Sequence, residues 1–143
     1  MYIKASLKTN KELDARMAIG IGEKTYHAKT ISEANGSAFI NSGEVFEILK
    51  KEKSNLLIHT GHTTLDKELN VYFQLALMTM DYWTPNSAEI IKLSIENPQL
   101  NQQQLGELIG IKQNTVSERQ KRAALSQLQD FDLIFREKIN SIL

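Results

Sequence analysis

The stretch that most constrains this chain lies at residues 105–122 and reads LGELIGIKQNTVSERQKR. Two short amphipathic runs meet at Gly110, which is free to adopt positive φ, so the pattern predicts two helices joined by a tight turn. Gly106 is expected where the helices approach most closely, because a side chain there would push them apart. Ile111 would fill the turn and Val116 would anchor the second helix. We therefore expect a helix-turn-helix.

The two predicted helices have distinct inner and outer faces. The residues expected to point inward are Leu105, Leu108, Ile109, Val116, Gln120 and Ala123. Glutamine at position 120 is the weak point of this pattern, since a leucine would seat the second helix better. The outer face of the second helix is polar and basic, which leaves it suited to a polar partner.

This outer face forms the predicted DNA-binding set: Gln113, Asn114, Ser117, Glu118, Arg119, Lys121 and Arg122. Glutamine and asparagine can pair with adenine edges, serine and lysine with base or phosphate, and glutamate can accept from cytosine. Arg119, Lys121 and Arg122 are expected near phosphates, where they would hold the duplex without specifying its sequence. Residues 112–122 hold four basic residues and one acidic residue, a local net charge of +3.

A structural or protein-docking pair of helices fits the same residues. Two helices and a turn also serve as packing or docking modules, and basic residues near a helix C-terminus suit the helix dipole regardless of DNA. Both interpretations stay open from the sequence, with DNA binding favoured.

The overall composition confines any electrostatic footprint to a local region. Seventeen basic residues balance 17 acidic residues among 143, so no net charge draws the whole chain to nucleic acid. The chain has no cysteine, which excludes disulfides, thiolate metal sites and cysteine nucleophiles. We expect neither a signal peptide nor a membrane-spanning segment, and hence a soluble cytoplasmic protein.

Residues 1–83 are predicted to form a small α/β part of a mostly helical α+β protein. Its predicted elements are a helical tail at 1–8, a strand at 15–22, a helix at 32–51, a strand at 55–60 and a long helix at 65–82. A sheet of two strands is marginal alone. We therefore expect this part to pair with another copy or to be the back half of a larger domain.

Residues 84–143 are predicted to form a separate helical domain. Thr84 can cap a helix and Pro85 fits its first turn, so we place the boundary there. Four helices are predicted, at 87–96, 102–109 (capped by Asn101), 112–123 and 126–142. One recognition helix touches few base pairs, so useful specificity would need a homodimer. The candidate dimer residues, which could equally pack within the domain, are Phe131, Phe135, Ile139 and Ile142.

The groups that could carry catalysis are weakly indicated. Gly20 and Gly22 follow a strand but lack the rest of a phosphate-loop motif, and turn glycines account for them better. His59 and His62 stand three residues apart without a third metal ligand nearby, which favours a polar loop over a zinc site. His27 is equally uninformative. We expect no enzyme activity, no metal and no cofactor.

Several short motifs are spread over nearly the whole chain, at residues 16–23, residues 36–39 with 42–44, residues 83–84, and residues 104–111 with 115–117 and 121–123. Through these motifs the chain resembles the SatD family of bacterial proteins. The resemblance implies an N-terminal domain followed by a helix-turn-helix similar to the promoter-reading domain of sigma factors. The strand-then-helix stretch also resembles the second half of a class III nucleotide cyclase or GGDEF-type domain, which implies a partial ferredoxin-like fold.

The cyclase resemblance implies a second candidate function. Asp14, Arg16, Glu23, Glu33 and Glu44 could line a nucleotide crevice, although Glu44 also fits a solvated helix face. Members of the SatD family usually open with a further strand and helix carrying an acidic stretch, so we expect this chain to be a shortened form that lacks the metal-binding carboxylates. The sequence thus predicts a DNA-binding transcriptional regulator whose N-terminal part dimerises or senses a ligand. The alternative is a degenerate nucleotide-sensing or protein-docking module without DNA binding.

Overall fold

A computed structural model of the chain describes residues 1–23, 36–52 and 54–143. These residues form seven helices and two strands: α1 (Tyr2–Lys8), β1 (Met17–Gly20), α2 (Ser37–Lys51), β2 (Leu56–His59), α3 (Thr63–Met80), α4 (Pro85–Glu96), α5 (Gln102–Ile109), α6 (Gln113–Arg122) and α7 (Leu125–Asn140). The predicted mostly helical α+β class is confirmed. Within the described ranges, no helix combines the length and the apolar character that crossing a membrane requires.

The predicted elements and the observed ones correspond closely. The helix predicted at 102–109 has those bounds in the structure, and the helix predicted at 65–82 is α3, shifted toward the N-terminus. The beginning of the helix predicted at 32–51, together with His27 and Glu33, lies outside the described residues. The stretch predicted at 1–8 as the tail of a helix forms the short helix α1.

The chain divides into two compact units. The helical unit consists of Met1–Ala15 and Met78–Leu143, and the α/β unit consists of Arg16–Leu77. Helix α1 belongs to the helical unit because it packs against α4. The domain division predicted between residues 83 and 84 stays a prediction.

The α/β unit is built on a parallel pair of strands. Strand β1 pairs with β2 in the register that runs from Met17 opposite Leu56 to Gly20 opposite His59. Parallel strands need a crossover connection, and α2 lies between them in the chain and packs on both. Val45 and Leu49 of α2 form the core of this layer with Leu57 of β2.

Two glycines at the end of β1 allow α2 to approach the strand closely. A Cβ atom on Gly20 would collide with the carbonyl oxygen of Ala38, and one on Gly22 would lie 2.7 Å from the Ala38 nitrogen. The approach is reinforced where the Ser37 hydroxyl accepts from the backbone N–H of Glu23 at 2.8 Å. These glycines therefore serve close packing between backbones, a reason that the turn interpretation did not include.

The helical unit contains a buried lysine cluster that joins α1 to the rest of the unit. The Lys4 ammonium is fully buried and donates to Asp14 Oδ1 at 2.8 Å and to Asp81. Lys8 donates to Asp14 Oδ2 and to the backbone oxygen of Asp81. Burial opposes ionisation of Asp14, but hydrogen bonds from the two lysines and from the Ala15 N–H, with the charge of Lys4, lower its pKa.

Candidate nucleic-acid interface

Helices α5 and α6 are joined by a tight turn, as the sequence predicts. Asn101 caps α5 by accepting from the Gln104 N–H at 3.0 Å, and the Gln104 side chain accepts from the Asn101 N–H at 2.9 Å. Gly110 ends the helix in the left-handed region, with φ of 69°. The Ile111 N–H then donates to the Gly106 carbonyl at 2.9 Å. This closed turn starts α6 three residues after Gly110.

The two helices meet at Gly106, which confirms the predicted close approach. A Cβ atom there would lie 2.5 Å from the Ile111 carbonyl oxygen and 3.3 Å from Val116 Cγ2. Leu105 and Val116 are buried in a common cluster with Ile90 of α4. Because α4 completes this cluster, the inner face of the pair belongs to a three-helix core.

Leu108 was wrongly predicted to point into this core, since 56% of it is exposed. The buried face of α5 is centred between Leu105 and Gly106, and Ile109 lies near the same side. Leu108 is two and a half residues from that centre, and at about 100° per residue this places it about 110° away around the helix. An i, i+3 spacing therefore does not place it on the buried side here.

The predicted DNA-binding residues lie along one helix, α6. Those that are exposed are Gln113, Asn114, Glu118, Lys121 and Arg122, and those that are half-buried are Ser117 and Arg119. Val116, on the opposite side of the helix, is fully buried. Helix α6 is therefore two-sided, with an apolar anchor against the core and a polar outer surface.

Arg119 differs from the other predicted cations because its guanidinium is occupied within the unit. Its Nη1 donates to Glu89 of α4 at 3.2 Å, and the side chain is 17% exposed. Lys121 and Arg122 are exposed in the same turn of α6. The cationic surface of this helix is thus carried mainly by Lys121 and Arg122, while Arg119 ties α6 to α4.

Trp83 holds the C-terminal end of α6, a role that the sequence analysis missed. Its indole Nε1 donates to the backbone oxygen of Ala123 at 3.1 Å, and both residues are buried. Ala124 follows with φ of 55°, so the chain turns sharply into α7. The sequence shows one tryptophan next to the predicted cap Thr84, which could have suggested a structural role. Nothing in the sequence indicates that its partner is Ala123, 40 residues away.

Four polar side chains connect the start of α6 to α4 by a chain of hydrogen bonds, which we call the amide relay. Gln113 Nε2 donates to Gln102 Oε1 at 2.5 Å, and Gln102 Nε2 donates to Gln120 Oε1 at 2.9 Å. Gln120 Nε2 donates to Ser94 Oγ at 2.9 Å, and Ser94 Oγ donates to the Ile90 carbonyl at 2.7 Å. The amide of Gln120 thus links Gln102 to Ser94. A leucine at position 120 would leave the polar groups of both residues without this partner.

The residues considered for a homodimer contact are divided by burial. Ile139 is buried within the helical unit, so little of its side chain is left for a partner. Phe131 and Phe135 are half-buried and pack edge to face, with ring centroids 6.3 Å apart. Ile142 is half-buried. Internal packing accounts for Ile139, and the other three keep partial exposure.

The structure describes four of the five residues considered for a nucleotide crevice. Asp14 is bound by lysines of the helical unit, whereas Arg16, Glu23 and Glu44 are exposed positions of the α/β unit. Glu33 lies outside the described residues. His59 Nδ1 lies 2.7 Å from Asp66 Oδ2, and the other oxygen of Asp66 accepts from the Thr60 N–H, so this pair shapes the loop before α3.

The candidate interface is therefore the outer surface of α6, supported by α4, α5 and Trp83. No group of three or more histidine, cysteine, aspartate or glutamate residues in the described ranges is placed to hold a metal ion. Comparison of the chain with protein-family models, with curated proteins and with solved structures finds no match in any of the three.

Proposed function

We propose that this chain is a DNA-binding transcriptional regulator that uses α5, its turn and α6 as a helix-turn-helix, consistent with the SatD resemblance. One observation carries the proposal: α6 has a fully buried anchor on one side and an exposed polar, cationic surface on the other. In a helix-turn-helix, the second helix can enter the major groove, where the residues near its N-terminus contact base edges. In this role α6 is the recognition helix.

The residues of α6 take different roles along its length. Gln113 and Asn114, at the N-terminal end, face base edges, where amides pair with adenine. Lys121 and Arg122, at the C-terminal end, contact phosphates and fix the position of the helix on the duplex. Glu118 lies between these groups and accepts from cytosine. Ser117 completes the base-facing set, and Arg119 acts through its ion pair with Glu89.

The α/β unit is proposed to join two copies or to sense a ligand. Its two-stranded sheet and following helices correspond, in this proposal, to the back half of a cyclase-like, ferredoxin-type domain. Phe39 and Phe46 of α2 line an open groove of about 460 Å³ with Ala18 of β1, which leaves apolar surface for a second copy. Two copies would place two recognition helices on half-sites about one helical turn apart.

The proposal is tested by removing the two exposed cations of α6. The double variant Lys121→Ala, Arg122→Ala should bind a short duplex of random sequence more weakly than the wild-type chain. Since each phosphate contact contributes about 0.9 to the slope of log K against log salt, the slope should become shallower by about 2. Fluorescence anisotropy at several salt concentrations measures both quantities.

A matched variant separates this local effect from a change in net charge. Lys11→Ala, Arg136→Ala removes two exposed cations of the same unit that lie outside α6. It should keep the wild-type salt slope. Equal weakening by both double variants, or no salt-dependent binding by the wild-type chain, would contradict the proposal and favour the nucleotide-sensing or protein-docking alternative.

A further inference from the structure

The amide relay has a direction that is set by one backbone carbonyl of α4. The hydroxyl of Ser94 has a single hydrogen, which it donates to the Ile90 oxygen at 2.7 Å. Its oxygen can then only accept from Gln120. Gln120 must therefore turn its NH2 group toward Ser94, and the orientation of that amide follows from the peptide backbone.

The same orientation passes from one glutamine to the next. With its NH2 on Ser94, Gln120 presents Oε1 to Gln102, so Gln102 must donate its own NH2 there. Gln102 therefore points its Oε1 at Gln113. Because the Oε1 of Gln113 would be repelled there, Gln113 turns its Nε2 toward Gln102 and donates to it. Three side chains on two helices are thus ordered with one polarity.

This polarity determines what Gln113 can offer to DNA. One N–H of its amide is used inside the protein, which leaves Oε1 and the second N–H for an outside partner. Adenine presents an N6–H donor beside the N7 acceptor in the major groove, which matches that pair. Guanine presents two acceptors, N7 and O6. One of them would lie opposite the Oε1 of Gln113, which is also an acceptor, so the two groups would repel each other.

We propose that Gln113 is preset to read adenine and that Gln102, Gln120 and Ser94 are its positioning residues. The inference rests on the proposed function, since it assumes that α6 enters the major groove. A glutamine held in its binding orientation loses less rotamer freedom when it meets its partner. Ser94 and Gln120 therefore increase discrimination between bases through Gln113, although neither residue contacts a base.

The test is selection from a pool of random-sequence duplexes, followed by sequencing of the bound fraction. The wild-type chain should enrich adenine at one position of its site, and Gln113→Ala should lose that preference, worth roughly 5- to 150-fold against the wrong base. Ser94→Ala removes the acceptor that orients Gln120. It should lower the same adenine preference and leave the other positions and the salt slope unchanged.

A second variant and a control keep the result interpretable. Gln102→Glu keeps the size of the side chain and still accepts from Gln113, but it cannot donate to Gln120, so it should weaken the same preference. Ser141→Ala is the control, because Ser141 likewise donates to a backbone carbonyl, that of Lys138, outside the relay. Its binding profile should match the wild type, and circular dichroism should show helix content retained in all variants.

The outcomes distinguish this inference from the proposed function. If the wild-type chain enriches no sequence, the proposed function itself fails. If Gln113→Ala leaves every position unchanged, or if Ser94→Ala and Gln102→Glu both keep the full adenine preference, the relay does not preset Gln113 and only this inference fails. A loss of affinity that is uniform over all positions would likewise overturn it, because that pattern marks a general structural role.

Discussion

Helix α6 of the helical unit and helix α2 of the α/β unit differ in the surface that their outer sides present. In the helical unit, Ile90 and Val116 are fully buried, and the outer side of α6 is polar. In the α/β unit, α2 leaves large apolar side chains 42–62% exposed, namely Phe39, Ile40, Phe46 and Ile48. The described residues of this unit contain two strands, which depend on packing against helix α2 for their stability. Helix α6 thus presents a polar surface over a buried anchor, whereas helix α2 presents an apolar surface.

Lys4 gives the strongest test of how the helical unit is held together. Changing Lys4→Met should lower the free energy of unfolding by about 3–5 kcal/mol, because the partners of a buried charge lose their compensation. The side chains of Asp14 and Asp81 are about one third exposed, so water partly compensates their charges. We therefore expect a loss of stability toward the lower end of this range. Urea unfolding followed by the fluorescence of Trp83, the single tryptophan, reports on this unit.

The exposed residue Lys11 provides the control for this change. Lys11→Met should alter the stability by no more than about 0.5 kcal/mol, as is usual at the surface. Similar losses in the two variants would show that the buried cluster does not stabilise the unit.

Two glycine-to-alanine changes compare the units directly. Gly106→Ala should destabilise by about 1–3 kcal/mol, because the new methyl group would lie 2.5 Å from the Ile111 backbone oxygen. Gly43→Ala in α2 meets nothing within 4 Å and should stabilise by about 0.5–1 kcal/mol through helix propensity. Urea unfolding followed by circular dichroism measures both. The same sign for both changes would contradict the contrast between a packed and an open helix surface.

The smallest expected effect is a pH dependence confined to the helical unit. Because the pKa of Asp14 is lowered in the folded state, its contribution to stability is present above the ordinary aspartate pKa of about 3.9 and is lost as pH falls through the folded value. Asp14→Asn should flatten the decline of the urea midpoint between neutral pH and about pH 3. If the urea midpoint of Asp14→Asn falls with pH as steeply as that of the wild-type chain, other carboxylates cause the pH dependence.

Sequence signals of short range predicted most of the fold. Thr84 and Asn101 cap α4 and α5, and Gly110 turns the chain, since each acts on backbone within a few residues. The elements of the α/β unit follow the same rule, because alternation and helical spacing are local patterns. These signals also placed the candidate site on α6 and identified its outward residues.

Interactions between distant residues could not be predicted in this way. Lys4 and Asp81 are 77 positions apart, and Ser94 and Gln120 are 26 apart, so their pairing depends on how α1, α4 and α6 pack. Polar residues with such partners look like ordinary surface residues in the sequence. Leu108 shows the converse error, because its spacing suggested burial but the buried face of α5 is centred between Leu105 and Gly106.

The central claim, that the outer surface of α6 meets DNA, is tested most directly by nuclear magnetic resonance. Backbone amide shifts of the whole chain are recorded while a short duplex is added at low salt. The account predicts that the largest changes fall in α6 and the adjoining turn, with smaller ones at the start of α5. Changes concentrated elsewhere, or none at concentrations where non-specific binding occurs, would contradict it.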